Sequence, residues 1–198
     1  MDRNKNTVDD YRKIVSEGAP HSFVDNNFPL NDVLWWEDAN EGGGTASFIN
    51  DYVTWKRVGT FGKKLWGNEG IIPGDLNQGF IGNCWVIAAI GGIAEHKDRV
   101  EKMFVGGNEL SDVGIYAIQM YLLGVPYTQI IDDYVPVTPE GETIFAGVGK
   151  DDSVWGMLVE KAFAKRYGNY QRTERGWMAA AVASMNGSPW KLYEHIPA

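Results

Sequence analysis

The chain has 198 residues, 44% of them hydrophobic, enough for a sizeable core in one domain or in one lobe of a larger protein. Its 26 acidic against 18 basic residues give a formal net charge of −8, which excludes a surface built to hold nucleic acid or an anionic membrane, since both need clustered Lys and Arg. A single cysteine excludes an internal disulfide and points to a reducing compartment.

In chain order, residues 1–20 are polar and predict a frayed or disordered N-terminal segment, with no apolar core of the secretory kind. Phe23–Leu30 mixes apolar anchors with turn formers, as an extended segment crossing a core does. Gly42-Gly43-Gly44 marks a loop, and Tyr52–Lys56 reads as a short strand. Residues 67–82 are dense in Gly, Asn, Asp and Pro, which predicts an irregular loop held by its own hydrogen bonds, the kind of segment on which function concentrates.

At Asn83 the character changes. Cys84-Trp-Val-Ile-Ala-Ala-Ile90 is apolar nearly all round, the pattern of a helix buried on every side, with Asn83 as its N-cap. The strongly apolar run from Trp85 to Ala94 is about half of what a membrane-spanning helix needs, so no transmembrane segment is expected and a soluble, cytoplasmic protein is. Ile115–Leu123 and Tyr127–Ile131 read as a hairpin joined by Gly124-Val125-Pro126. Trp155, Leu158, Val159, Ala162, Phe163 and Tyr167 then recur at helical spacing, from a Ser153 cap to Gly168. An Ala-rich helix follows from Trp177 to Met185, closed by Asn186-Gly187. Together these predict an α+β fold with a central buried helix carrying Cys84, other helices around it and a small antiparallel sheet.

A cysteine is a nucleophile only as thiolate, and the first turn of a helix favours negative charge through its unpaired N–H groups. Cys84, where a polar loop meets an apolar helix, is placed for that chemistry, although a lone cysteine is more often a small packing residue. Its context is Gln78-Gly-Phe-Ile-Gly-Asn-Cys-Trp85. A glutamine six residues before the thiol can fold its amide to where an acyl-transfer oxyanion develops, with the Cys84 N–H as second donor. Gly79 and Gly82 permit the tight turns this needs, and Trp85 would pack beneath the helix start.

This string resembles the active-site segment of calpains, within the papain-like cysteine proteases. Further matches follow in order: Phe23-x-Asp-x-x-Phe-Pro29, Trp55-Lys-Arg57, Ile131-Asp-Asp-Tyr-Val-Pro136, Trp155-x-x-Leu-Val-Glu-Lys-Ala-Phe-Ala-Lys165 and Tyr167-Gly-Asn-Tyr170. Calpains commonly carry Asp where Asn83 stands. Transglutaminases share a Gly-x-Cys-Trp helix start but not the downstream segments. The resemblance implies a papain-like fold, with residues 21–198 forming the first lobe of a calpain-type catalytic domain. It also implies endopeptidase action on protein substrates through a Cys84 thioester, with Gln78 on the oxyanion.

In calpains the catalytic His and Asn lie on a second lobe, beyond the segment that resembles Met185–Tyr193. Of this chain's histidines, His21 sits in the polar N-terminal part and His195 in the polar tail, and His96 lies about 18 Å from Cys84 if the helix continues. The expectation is therefore a lobe that is inactive alone and needs a second protease lobe in cis or in trans; the alternative is an inert, protease-derived binding lobe. Calpains also bind Ca2+ in this lobe. Asp75 matches one acidic ligand and Gly70 one backbone carbonyl, but the second acidic position is Ser153, adjoined by Asp151 and Asp152. Asp132 and Asp133, adjacent at a strand end, should diverge and serve structure.

Overall fold

The apolar spacing that begins at Trp155 becomes a 13-residue helix in the computed structural model of the chain, which describes residues 3–30 and 53–193. Within them the elements are α1 (Arg3–Glu17), β1 (Thr54–Arg57), α2 (Cys84–Ala94), α3 (Lys97–Glu101), β2 (Ile115–Leu122), β3 (Val125–Asp132), β4 (Tyr134–Val137), α4 (Trp155–Tyr167) and α5 (Met178–Asn186). The strands form two small antiparallel sheets, β1 with β4 and β2 with β3, so the architecture is mixed α+β. The triple glycine at 42–44 and His195 lie outside the described residues.

Helix α4 is buried from Trp155 through Ala164 and stops at Gly168, whose φ of +99° lets the chain leave the helix. Its start corrects the predicted cap. Val154 occupies the cap position without a side-chain bond, and Ser153 is buried instead. Helix α2 packs against α5 and α4 through Trp85, Val86, Ala89, Ile90, Ile93 and Ala94. It is not buried on every side, as its composition predicts: Cys84, Ala88 and Gly92, at i, i+4 and i+8, line one exposed stripe.

The hairpin turn is shorter than predicted. Leu122 pairs with Val125, leaving a two-residue turn at Leu123 and Gly124, both at positive φ as a type I′ turn requires. Both hairpin faces are covered. Ile115, Ala117 and Ile130 meet Tyr11 and Ile14 of α1, whereas Tyr116, Ile118, Met120 and Ile131 enter the main core with α2 and α4. Helix α1 thus stands where polarity predicts a frayed segment. Tyr11, 8% exposed, anchors it by packing its phenol over Gly106, where a Cβ would collide. The segment after α1 crosses the core as predicted, burying Asp25 and Phe28.

Buried charges tie these parts together. Lys161 of α4, with no exposed side-chain surface, pairs with Asp132 and donates to the Tyr134 carbonyl. Asp132 also accepts the N–H groups of Asp25 (2.8 Å) and Tyr134 (3.0 Å). Lys165 donates to the Asp25 carboxylate (2.6 Å) and the Ile130 carbonyl (2.7 Å). Asp133 turns the other way, to Arg57, which also holds the carbonyls of His21 (2.6 Å) and Phe23 (3.0 Å). The two aspartates diverge and serve structure, as their adjacency predicts. Loss of water pushes the Lys161 ammonium pKa down and the Asp133 carboxyl pKa up. Removing one member of such a pair strands the other charge in the interior. Lys161→Met, which keeps most of the volume, should lower unfolding stability by about 3–5 kcal/mol in urea titration; an unchanged midpoint would refute this role for the pair.

Candidate active site

Cys84 is the first residue of α2 and its side chain is exposed, although the helix behind it is buried. Trp85 supplies the footing. It is 7% exposed, donates its Nε1–H to the Thr173 carbonyl at 2.7 Å and stands edge-on to Phe163 and Tyr167 at 5.5 and 6.0 Å. Gly176 lies so close over the indole that a Cβ there would collide with it. The Arg175 N–H, on a residue at φ +58°, reaches the Gly82 carbonyl at 3.2 Å and ties this segment to the turn before the thiol.

The loop ahead of Cys84 is braced along its length. Asn77 exchanges bonds with the 147–148 segment, donating Nδ2–H to the Val148 carbonyl (2.8 Å) and accepting the Gly147 N–H (3.0 Å). The Phe80 N–H donates to the Ile144 carbonyl at 2.8 Å, and Gly79 presses against the carbonyls of Ile144 and Phe145 with no space for a Cβ. Gln78 folds its amide back into the loop, its Nε2–H donating to the Ile81 carbonyl at 2.9 Å. That carbonyl also accepts the Asn83 N–H at 2.8 Å, so Gln78 is bound to the turn that delivers Cys84.

Asn83 sits at the cap position, but its side chain makes no cap bond, which corrects the predicted N-cap. Its carbonyl accepts the Val86 (2.8 Å) and Ile87 (3.2 Å) N–H groups, and its Nδ2 donates to Glu160 at 2.6 Å. The second Glu160 oxygen accepts the Ala146 N–H at 2.9 Å. Burial pushes the Glu160 pKa up to about 7 from an ordinary 4.5, against the opposing pull of its two hydrogen bonds. The amide is thus turned so that Nδ2 meets α4, and Oδ1 does not cap the first turn of α2.

No described histidine adjoins the thiol. His96 follows the far end of α2, and His21 follows α1, its carbonyl bound to Arg57.

The predicted cation ligands are only partly brought together. Asp75, 3% exposed, uses Oδ2 to accept the Trp155 Nε1–H at 3.1 Å, while its buried Oδ1 and the buried Ser153 Oγ have no hydrogen-bond partner among the described residues. Both crowd the same point, since a Cβ on Gly149 would collide with each. These are hard oxygens suited to calcium, but among the described residues no three His, Cys, Asp or Glu side chains cluster as a metal site. Asp151 uses Oδ2 to accept the Asn68 (3.0 Å) and Glu69 (3.4 Å) N–H groups, and Asp152 lies at φ +61°. Gly70, at φ +82°, closes that same turn onto the Gly67 carbonyl at 3.0 Å.

A family profile described as calpain family cysteine protease matches residues 23–197. The chain belongs to the calpain family of cysteine proteases. It is 26% identical over 180 residues to the calpain-type cysteine protease DEK1 of Arabidopsis thaliana, covering 89% of this chain and 8% of that protein. Calpain-5 of Caenorhabditis elegans is 28% identical over 174 residues (83% of this chain, 25% of the relative), and Calpain-14 of Homo sapiens 30% over 115 (57% and 17%). The chain spans at most a quarter of the length of these calpains. Among its described residues, no helix is long and apolar enough to cross a membrane.

Sequence reading leaves Glu160, Thr173 and Gly176 without a role. Only Glu160 carries a signal, a carboxylate placed among the apolar positions of α4. Because its folded-state pKa lies above the unfolded value, the native protein keeps a proton between pH 4.5 and about 7 that the unfolded chain releases. This group therefore makes the fold lose stability as pH rises through that interval. Glu160→Gln removes the effect. Between pH 5 and pH 8 the variant should gain about 2–3 kcal/mol on the wild type in urea denaturation, and a pH-independent difference would contradict it.

Proposed function

We propose that the chain is the nucleophile-bearing lobe of a papain-like cysteine endopeptidase acting on protein substrates. The observation that carries this reading is the exposed Cys84 at the head of α2, with Gln78 folded back onto the turn that delivers it. The Cys84 sulfur attacks the scissile carbonyl, and the carbon–nitrogen bond breaks to leave a thioester that water then hydrolyses. The second Nε2 hydrogen of Gln78 and the Cys84 N–H are the donors for the transient oxyanion. A histidine from a second lobe, joined in cis or supplied in trans, takes the thiol proton and returns it to the leaving amine. The chain alone should leave casein intact. Supplied with a calpain second lobe bearing His and Asn it should cleave casein, and Cys84→Ala should abolish that. Cleavage by the chain alone, lost in Cys84→Ala, would refute the need for a second lobe, and failure with that lobe supplied would favour an inert binding role.

The family's calcium site is proposed here in reduced form. Asp75 Oδ1, a Gly70 carbonyl and Ser153 Oγ in place of a carboxylate are the oxygens offered, and the cation would stiffen the loop ahead of Cys84 without entering the chemistry. With one carboxylate, affinity should fall in the weak range, about 10⁻⁴–10⁻³ M. Calorimetric titration of calcium should give heat with the wild type and none with Asp75→Asn, which keeps an acceptor for Trp155; equal heats would remove the site.

A further inference from the structure

Glu160 is enclosed on α4 at 2% exposure and gives each carboxylate oxygen a single donor, Asn83 Nδ2 at 2.6 Å and the Ala146 N–H at 2.9 Å. The two donors come from opposite sides of the nucleophile loop. Asn83 directly precedes Cys84 and is itself wholly buried. Ala146 continues the segment whose Ile144 and Phe145 carbonyls clamp Gly79 and whose Ile144 carbonyl accepts the Phe80 N–H, Gly79 and Phe80 being the two residues that follow Gln78. One rigid carboxylate therefore holds both the thiol end and the glutamine end of the loop.

We propose that Glu160 is a positioning residue for the reaction, fixing the separation of Gln78 and Cys84 by binding Asn83 and Ala146 at once. This rests on reading Cys84 as the nucleophile and Gln78 as an oxyanion donor.

The pair has a second feature. Asn83 Oδ1 is buried and has no hydrogen-bond partner among the described residues. Half a turn of that amide exchanges Oδ1 with Nδ2, so a donor on residue 160 can use the spare acceptor while its other oxygen keeps the Ala146 N–H. Glutamine supplies such a donor. The strut is thus expected to survive the loss of charge at position 160 but not the loss of the side chain.

Two reactions of the full chain separate positioning from folding. Acylation of Cys84 by p-nitrophenyl acetate forms a sulfur–carbonyl bond, breaks the carbon–oxygen bond, releases p-nitrophenolate and passes the thiol proton to buffer; its transition state carries an oxyanion. Alkylation by iodoacetamide forms a sulfur–carbon bond, displaces iodide and has no oxyanion. Cys84 is the only cysteine, so cysteine adducts are unambiguous by mass. The ratio of acylation to alkylation rates reads the oxyanion donors alone. Gln78→Ala should lower it about tenfold or more. Asn83→Ala and Glu160→Ala should lower it comparably, Asn83→Ala should add nothing once Gln78 is Ala, and Glu160→Gln should recover it. Should Glu160→Ala not fold, Asn83→Ala carries the test. A folded Asn83→Ala that keeps the wild-type ratio while Gln78→Ala lowers it overturns the positioning role. A wild-type ratio no higher than that of N-acetylcysteine and indifferent to Gln78→Ala overturns the nucleophile reading and the positioning role with it.

Discussion

Helix α4 is buried from Trp155 through Ala164, and two consecutive residues inside that stretch, Glu160 and Lys161, are ionisable. A buried charge without partners costs more than a small domain's whole stability margin, so each must find donors or acceptors in the interior. Successive helical residues point about 100° apart, so the two demands fall on different parts of the chain. Lys161 fixes Asp132 and the β3–β4 corner, and through Asp132 the Asp25 segment. Glu160 fixes Asn83 and Ala146. A single helix turn thereby sets where the strands lie and where the loop ahead of Cys84 lies.

Its consequence for the site is a contrast in rigidity and exposure. Cys84 is open to solvent, yet the residues on either side of it are buried and held: Asn83 on α4, and Trp85 between Phe163, Tyr167 and the Thr173 carbonyl. Gln78 faces the same division, exposed itself but bound to the Ile81 carbonyl in a loop that 144–148 grips at several points. Preorganisation of this kind is what stabilisation of a developing oxyanion requires, because donors already aimed cost nothing to reorient during reaction.

Much of this was legible in the residues. The start of α2 at Cys84, the end of α4 at Gly168 and the end of α5 at Gly187 follow from local patterns that one segment carries alone. The collinear motifs pointed to the calpain family, to which the chain belongs. What escaped was decided between segments. Asn83 is an ordinary N-cap residue, but its amide is turned so that Nδ2 meets a buried carboxylate 77 positions away, and Oδ1 does not cap the helix. α1 reads as solvated because one buried Tyr11 among polar residues leaves a faint pattern, and the space that anchors it exists only where Gly106 passes. Ser153 suits a helix cap by type but faces Asp75 across Gly149.

The coupling between Asn83 and Glu160 bears most directly on the claim that α4 holds the loop ahead of Cys84 in place. A double-mutant cycle of Asn83→Ala and Glu160→Ala, read by urea denaturation at pH 8, isolates it from the separate cost of each truncation. The account predicts a coupling of about 1.5–3 kcal/mol, as for a hydrogen bond to a charged group. Additivity of the two substitutions to within about 0.5 kcal/mol would contradict it.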